Sequence, residues 1–151
     1  MKKLLITGGA GFLGFHICKK LSKFFDKIIV IDIIPFNKED FDDNVVYKKL
    51  DVCDKSLLDS LICQEKPDFI IHAAAALPLY KPGIIYQVNV KGTVNVLESA
   101  KRHGVKRVVF IPSTAVYGVP DHHPLYEDEE VIGVGPDGET KIIAEKIGNV
   151  F

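Results

Sequence analysis

Residues 4–14 read Leu-Leu-Ile-Thr-Gly-Gly-Ala-Gly-Phe-Leu-Gly, an apolar run that ends at Thr7 and breaks into glycines before an amphipathic segment begins. A strand that turns sharply into a helix needs such residues. Glycine tolerates the tight turn, and it lets the amides at the helix start come close to a pyrophosphate. A glycine-rich turn is also a common structural connection, so a second feature has to decide. Asp32 provides it. It closes the next apolar run, Ile28–Asp32, at 18 residues beyond Gly14. A carboxylate at the end of the second strand is placed to accept both hydroxyls of an adenosine ribose. It would repel a 2′-phosphate, so the pair of features points to NAD rather than NADP.

Outward from this turn, short β-rich runs alternate with amphipathic stretches. Leu4–Thr7, Ile28–Asp32, Val45–Leu50, Phe69–His72 and Val108–Ile111 have strand length and little alternation, as strands buried on both faces do. Helices are expected over Phe12–Lys23, over Lys55–Cys63 behind the N-cap Asp54, over Tyr86–His103 and over Glu139–Phe151. The third ends in Lys101-Arg102-His103-Gly104, basic residues followed by glycine. Strand–helix alternation implies right-handed crossovers and a parallel sheet, hence the α/β class and a Rossmann-type doubly wound fold. Ile33–Asn44 and Gly118–Pro136 interrupt the rhythm with polar, Pro- or Gly-rich sequence. Both leave the carboxyl ends of strands, where binding crevices form.

The 151 residues suit one domain, read as spanning 1–151, with a core of ordinary size. Hydrophobic residues make up 47% and charged residues 26%, which excludes disorder and fibrous structure. A formal net charge of -1 gives no electrostatic footprint for nucleic acid or an anionic membrane. No run of about 20 apolar residues is present, so no membrane partner is expected. Cys18, Cys53 and Cys63 fit no zinc spacing and read as reduced packing residues of a cytoplasmic protein. Asp121-His122-His123 and Glu127–Glu130 hold metal-capable side chains, but the better reading is a hydrated loop and no metal. His72, at the end of a buried strand, reads as a core histidine rather than a catalyst.

Five motifs in register identify a resemblance. Thr7-Gly8-Gly9-Ala10-Gly11-Phe12-Leu13-Gly14 has the T-G-x-x-G-x-x-G spacing of the extended short-chain dehydrogenase/reductase superfamily, in its NAD-dependent epimerase/dehydratase group. Leu50-Asp51-Val52 resembles the family's adenine contact, and His72-Ala73-Ala74-Ala75 its cofactor wall. Asn89-Val90-Lys91-Gly92-Thr93 resembles the N-x-x-G-T helix start, and Ser113-Thr114-Ala115-Val116-Tyr117-Gly118 the S-x-x-V-Y-G segment. The resemblance implies strand order 3-2-1-4-5. It implies cofactor-binding roles for Gly8, Gly11, Phe12, Leu13, Gly14, Asp32, Asp51, Val52, Ala73, Ala74, Ala75, Asn89 and Lys141. It further implies a catalytic role for Ser113 and a homodimer formed through helices 86–103 and 139–151.

Two departures shape the functional expectation. The family's catalytic Y-x-x-x-K falls on Asp137-Gly138-Glu139-Thr140-Lys141, so Lys141 is in place while Asp137 stands at the tyrosine position. An aspartate is a far weaker base than a phenolate (ordinary pKa values are about 3.9 and about 10) and is shorter by roughly one ring. Tyr117 and Tyr126 have no lysine four residues on. The family also runs to about twice this length and carries a sixth strand and a carboxyl-terminal substrate lobe. What the resemblance implies is therefore the NAD-binding portion of a nucleotide-sugar epimerase or dehydratase, with little activity as an isolated chain. A non-catalytic NAD-binding module, or a 3β-hydroxysteroid-type or atypical reductase of the same superfamily, is the alternative. The fifth strand, lacking its sixth neighbour, is expected to leave an association-prone edge.

Overall fold

The computed structural model describes residues 1–150. Five parallel strands, β1 (Lys3–Thr7), β2 (Lys27–Asp32), β3 (Val45–Lys49), β4 (Phe69–His72) and β5 (Arg107–Phe110), form one sheet in the order β3-β2-β1-β4-β5. This is the expected order and the expected Rossmann-type arrangement. The register sets Thr7 beside both Ile31 and His72, and His72 beside Phe110. The carboxyl ends of the central strands therefore lie level, and the loops leaving them share one edge of the sheet.

Alternate residues on the central strands feed two cores. Leu5, Ile29, Ile31 and Ile70 pack with Val52, Leu58, Leu61, Ile62, Val96 and Ala100 beneath helices α2 (Lys55–Glu65) and α4 (Thr93–Arg102). Leu4, Ile6, Ile28 and Val30 pack with Cys18 beneath α1 (Phe12–Leu21), joined by Val45. Burial on both faces is why these strands read as unbroken apolar runs rather than alternating ones.

The crossover from β2 to β3 has no α-helix. Residues 33–44 cross as a loop whose Phe36 stacks on Phe41 and on Tyr47, with ring centroids 3.9 and 5.3 Å apart. Phe41 meets Phe15 of α1 edge-on at 5.1 Å. These rings cover the sheet where a helix would otherwise lie.

Two helices differ from their expected bounds. The segment expected to begin at Tyr86 starts earlier, as α3 (Pro82–Tyr86), and passes through a widened π turn at Gln87–Gly92 into α4. Pro82 presets the first turn. The last helix, α5 (Gly135–Gly148), begins four residues before the expected Glu139. Its start is set by Pro136 in the first turn, whereas the apolar periodicity begins only near Ile142. Phe151, included in the expected helix, lies outside the described residues.

Candidate functional site

The loops at the carboxyl edge enclose a cavity of about 310 Å³. Gly8 and Gly11 come to it from the glycine turn, Asp32 from the end of β2, Asp51 and Val52 from beyond β3, and Ala73, Ala74 and Ala75 from beyond β4. Residues from separate stretches of sequence thus converge on one concavity. Ile33, Ile34, Leu50, Leu77, Tyr80 and Ile84 contribute to its walls. Sequence reasoning marked the loop from Ile33 onward and Leu50 within its motif, but not Leu77, Tyr80 or Ile84, which belong to no motif. The residues of the other interrupted stretch, Gly118–Pro136, lie outside this lining.

Backbone contact explains the glycines. Gly8 has φ +69, and a Cβ there would lie 2.8 Å from Ala74 Cα. A Cβ on Gly14 would lie 2.4 Å from Gly9 Cα and 2.5 Å from the Gly8 carbonyl oxygen. The turn is therefore pressed between α1 and the alanine run. Gly11 caps α1 without a side chain, which leaves the first-turn amides of Phe12, Leu13 and Gly14 without an intrahelical acceptor. Such a cradle fits a pyrophosphate. The Phe12 ring is exposed and meets His16 edge-on at 4.6 Å, and Leu13 is half-exposed. Any contribution from these two residues comes from the main chain.

Asp32 is held by three amides. Its Oδ2 accepts from Ala10 N at 3.0 Å, and its Oδ1 accepts from Ile33 N at 2.7 Å and Ile34 N at 3.2 Å. One carboxylate ties the glycine turn to the loop after β2 and still lines the cavity. Asp51 Oδ1 accepts from Cys53 N at 2.9 Å, which closes the turn after β3.

A polar chain runs behind the alanine wall. The Thr7 hydroxyl accepts from Ala73 N at 3.2 Å and Ala74 N at 3.1 Å, so its proton goes to His72 Nδ1 at 2.7 Å. The Thr93 hydroxyl donates to the Asn89 carbonyl at 2.7 Å, so it accepts from His72 Nε2 at 3.0 Å. These partners assign His72 the neutral form with its proton on Nε2. Burial, reinforced by the charge of Lys141, pushes the His72 pKa down to about 4. His72 is a satisfied core histidine.

Asn89 continues the chain. It is buried, its Oδ1 accepts from Ala76 N at 2.9 Å, and its Nδ2 donates to Thr140 Oγ1 at 3.1 Å. Thr140 Oγ1 donates in turn to the Asp137 carbonyl at 3.0 Å. Asn89 sits behind the cavity wall rather than on it, and it joins that wall to the first turn of α5. Thr7 and Thr93 were marked only as motif positions, and Thr140 was given no role.

Ser113, Asp137 and Lys141 are gathered on that side. Ser113 Oγ accepts from Ala115 N at 3.2 Å and caps the short turn Thr114–Tyr117. Gly138 lies against this turn so closely that a Cβ would sit 2.8 Å from the Ala115 carbonyl oxygen. The glycine beside the tyrosine position is thus what lets α5 dock there. Lys141 is 8% exposed. Burial lowers its pKa, and the charge of Asp137 works in the opposite direction. All three lie outside the lining of the 310 Å³ cavity.

The loop 118–134 is closed at its base by Gly133 N donating to the Val116 carbonyl at 2.8 Å. Within it His122 is bracketed by Asp121 at 2.6 Å and Glu129 at 3.3 Å, and hydrogen bonds to these carboxylates raise its pKa. Among the described residues no group of three or more His, Cys, Asp or Glu side chains is arranged to hold a metal ion. Among them, too, no helix is long and apolar enough to cross a membrane.

Comparison with known proteins bears on the family and the fold. Residues 4–148 match the NAD dependent epimerase/dehydratase family. The UDP-glucose 4-epimerase of Rhizobium meliloti is 33% identical over 95% of this chain and 45% of its own length. Among solved structures, the Bordetella bronchiseptica enzyme WbmG in complex with NAD superposes with a TM-score of 0.89 at 28% identity, covering 98% of this chain and 49% of that one. The UDP-glucose 4-epimerase of Brucella ovis in complex with NAD gives 0.86 at 30% identity, covering 97% and 46%. The chain spans about half the length of the curated relatives it matches.

Proposed function

The chain belongs to the NAD dependent epimerase/dehydratase family, and from that premise we propose that it is the NAD-binding portion of a nucleotide-sugar epimerase or dehydratase. The observation that carries this is the convergence of Gly8, Gly11, Asp32 and Ala73–Ala75 on one cavity. The α1 amides hold the pyrophosphate, and Asp32 accepts the adenosine ribose hydroxyls. Asp51 and Val52 border the adenine, and the alanines let the nicotinamide half approach. NAD supplies the acceptor and donor of a hydride for a sugar carbon. Lys141 holds the nicotinamide ribose. Ser113 orients the sugar hydroxyl whose proton must move. Asp137 receives that proton poorly, because a carboxylate is a far weaker base than a phenolate.

Isothermal titration tests the reading. NAD is expected to bind saturably, NADP at least about ten-fold more weakly, and Asp32→Ala about ten-fold more weakly than the parent, the loss of one charge-assisted contact. Turnover of UDP-glucose by this chain is expected to be negligible. A folded sample that gives no NAD heat overturns the proposal. Asp137 at the tyrosine position favours one second reading, a non-catalytic NAD-binding module. The three cysteines, none in a disulfide, support a cytoplasmic setting for either.

The partner proposed for the helical face is a second copy of the chain. Tyr86, Val90 and Val94 face Ile143 and Ile147 of α5 across an open groove of about 660 Å³. A twofold contact there would cover the apolar side chains of both helices. Sedimentation at tens of micromolar is expected to show a dimer, and Ile143→Asp a monomer with unchanged NAD binding. A parent chain that sediments as a monomer sinks the dimer.

A further inference from the structure

The hydroxyl of Tyr47 is the only polar group of the aromatic column that braces the β2–β3 loop, and it is spent on the main chain of the cofactor loop. It donates to the Ile34 carbonyl at 2.7 Å and lies 3.2 Å from the Asp32 carbonyl. Those carbonyls flank the two amides, Ile33 N and Ile34 N, that grip Asp32 Oδ1. The same carboxylate reaches across to Ala10 N through Oδ2. Tyr47 stands next to the edge of the cavity and is absent from its lining. Its ring has a separate task, stacking on Phe36 with planes 8° apart.

We infer that Tyr47 is a positioning residue for cofactor recognition: its hydroxyl fixes the curl of residues 32–34, which aims the Asp32 carboxylate at the adenosine ribose. The inference rests on the proposed NAD site and adds to it a determinant of selectivity for the 2′-hydroxyl. Without the hydroxyl, the Ile34 carbonyl is free to turn to water. The Ile33 and Ile34 amides then hold Oδ1 less firmly, and the carboxylate samples orientations that miss the ribose. Stacking survives in a phenylalanine, so the fold has no reason to change.

The experiment is a calorimetric comparison of NAD with its analogue lacking the adenosine 2′-hydroxyl, on the parent, Tyr47→Phe, Asp32→Ala and the double variant. Tyr47→Phe is expected to melt within a few degrees of the parent. It should bind NAD about five-fold more weakly, the effect of one neutral hydrogen bond. The deoxy analogue, which keeps only one hydroxyl for that carboxylate, should be weakened less, so that discrimination between the two ligands shrinks. In the Asp32→Ala background the same change should do nothing further, because the residue acts through that carboxylate. Equal NAD affinity in parent and Tyr47→Phe overturns the positioning role and leaves the cofactor reading intact. Equal weakening of both ligands, or an additive double variant, also overturns it by showing general support of the loop. A parent that binds neither ligand removes the cofactor reading and this inference with it.

Discussion

Gly14→Ala is expected to cost about 3 kcal/mol or more of folding stability, the upper range for forcing an extra carbon into packed structure. The added Cβ would lie 2.4 Å from Gly9 Cα and 2.5 Å from the Gly8 carbonyl oxygen. Both neighbours are backbone, so no side chain can swing aside. Either α1 lifts from the glycine turn or the turn moves off the alanine wall, and both open the cavity. For a chain of this size the loss corresponds to a fall in melting temperature of roughly 10 °C. Gly83→Ala is the matched control. It lies in α3, and a Cβ there meets nothing within 4 Å. It should be neutral or stabilising by up to about 1 kcal/mol, since alanine restricts the unfolded chain. Urea denaturation of both variants decides the matter. A Gly14→Ala protein as stable as Gly83→Ala would show that the turn relaxes at little cost.

The second large effect is a pH dependence centred on His72. Its folded-state pKa is pushed down to about 4, while an unfolded histidine titrates near 6.5. Between these values the unfolded chain binds the extra proton, so stability rises with pH across the window. The contribution is fully present above pH 6.5 and is lost as pH falls toward 4, on the order of 3 kcal/mol in all. A positive His72 would carry its added proton on Nδ1, facing a Thr7 hydroxyl that already accepts from two amides, with Lys141 adding repulsion. The other shifted groups act in different windows. Asp59, Asp68, Glu98 and Asp121 are lowered, so their contributions fade only at more acid pH, and His122 is raised, so its contribution fades as pH rises from the ordinary histidine value. His72→Gln is expected to lose stability at pH 7 and to flatten the dependence between pH 6.5 and 4. An unchanged slope in that variant would assign the acid sensitivity elsewhere.

The glycine turn, Asp32, the alanine run and the order of the strands were legible because each states a backbone requirement in residue types. A turn that admits no Cβ has to be glycine, and the acid that ends β2 lines the cavity beside that turn. The start of α5 was not legible from periodicity, because its first turn is polar and rests on Pro136 and the close approach of Gly138 to Ala115. The place of Asn89 behind the wall was hidden for another reason. Its partners are a main-chain amide and a threonine far along the chain. Tyr47 was silent in the same way, since its hydroxyl bonds to carbonyls that every residue carries. Unbroken apolar runs located the sheet, and glycines at close backbone contacts located the candidate site.

The strand order has a consequence for how the chain comes into being. β1 is made before the other four strands, yet it occupies the centre of the sheet and pairs with β2 on one side and β4 on the other. During synthesis it can acquire its first neighbour only when residues 27–31 have emerged, and its second only after Phe69–His72. Until then Leu4, Leu5 and Ile6, all fully buried at the end, travel with an open strand edge. Parallel pairings over such separations are slow to form. Among the five strands, β1 is therefore the one that waits longest for both neighbours, which makes it the strand most in need of protection on a nascent chain.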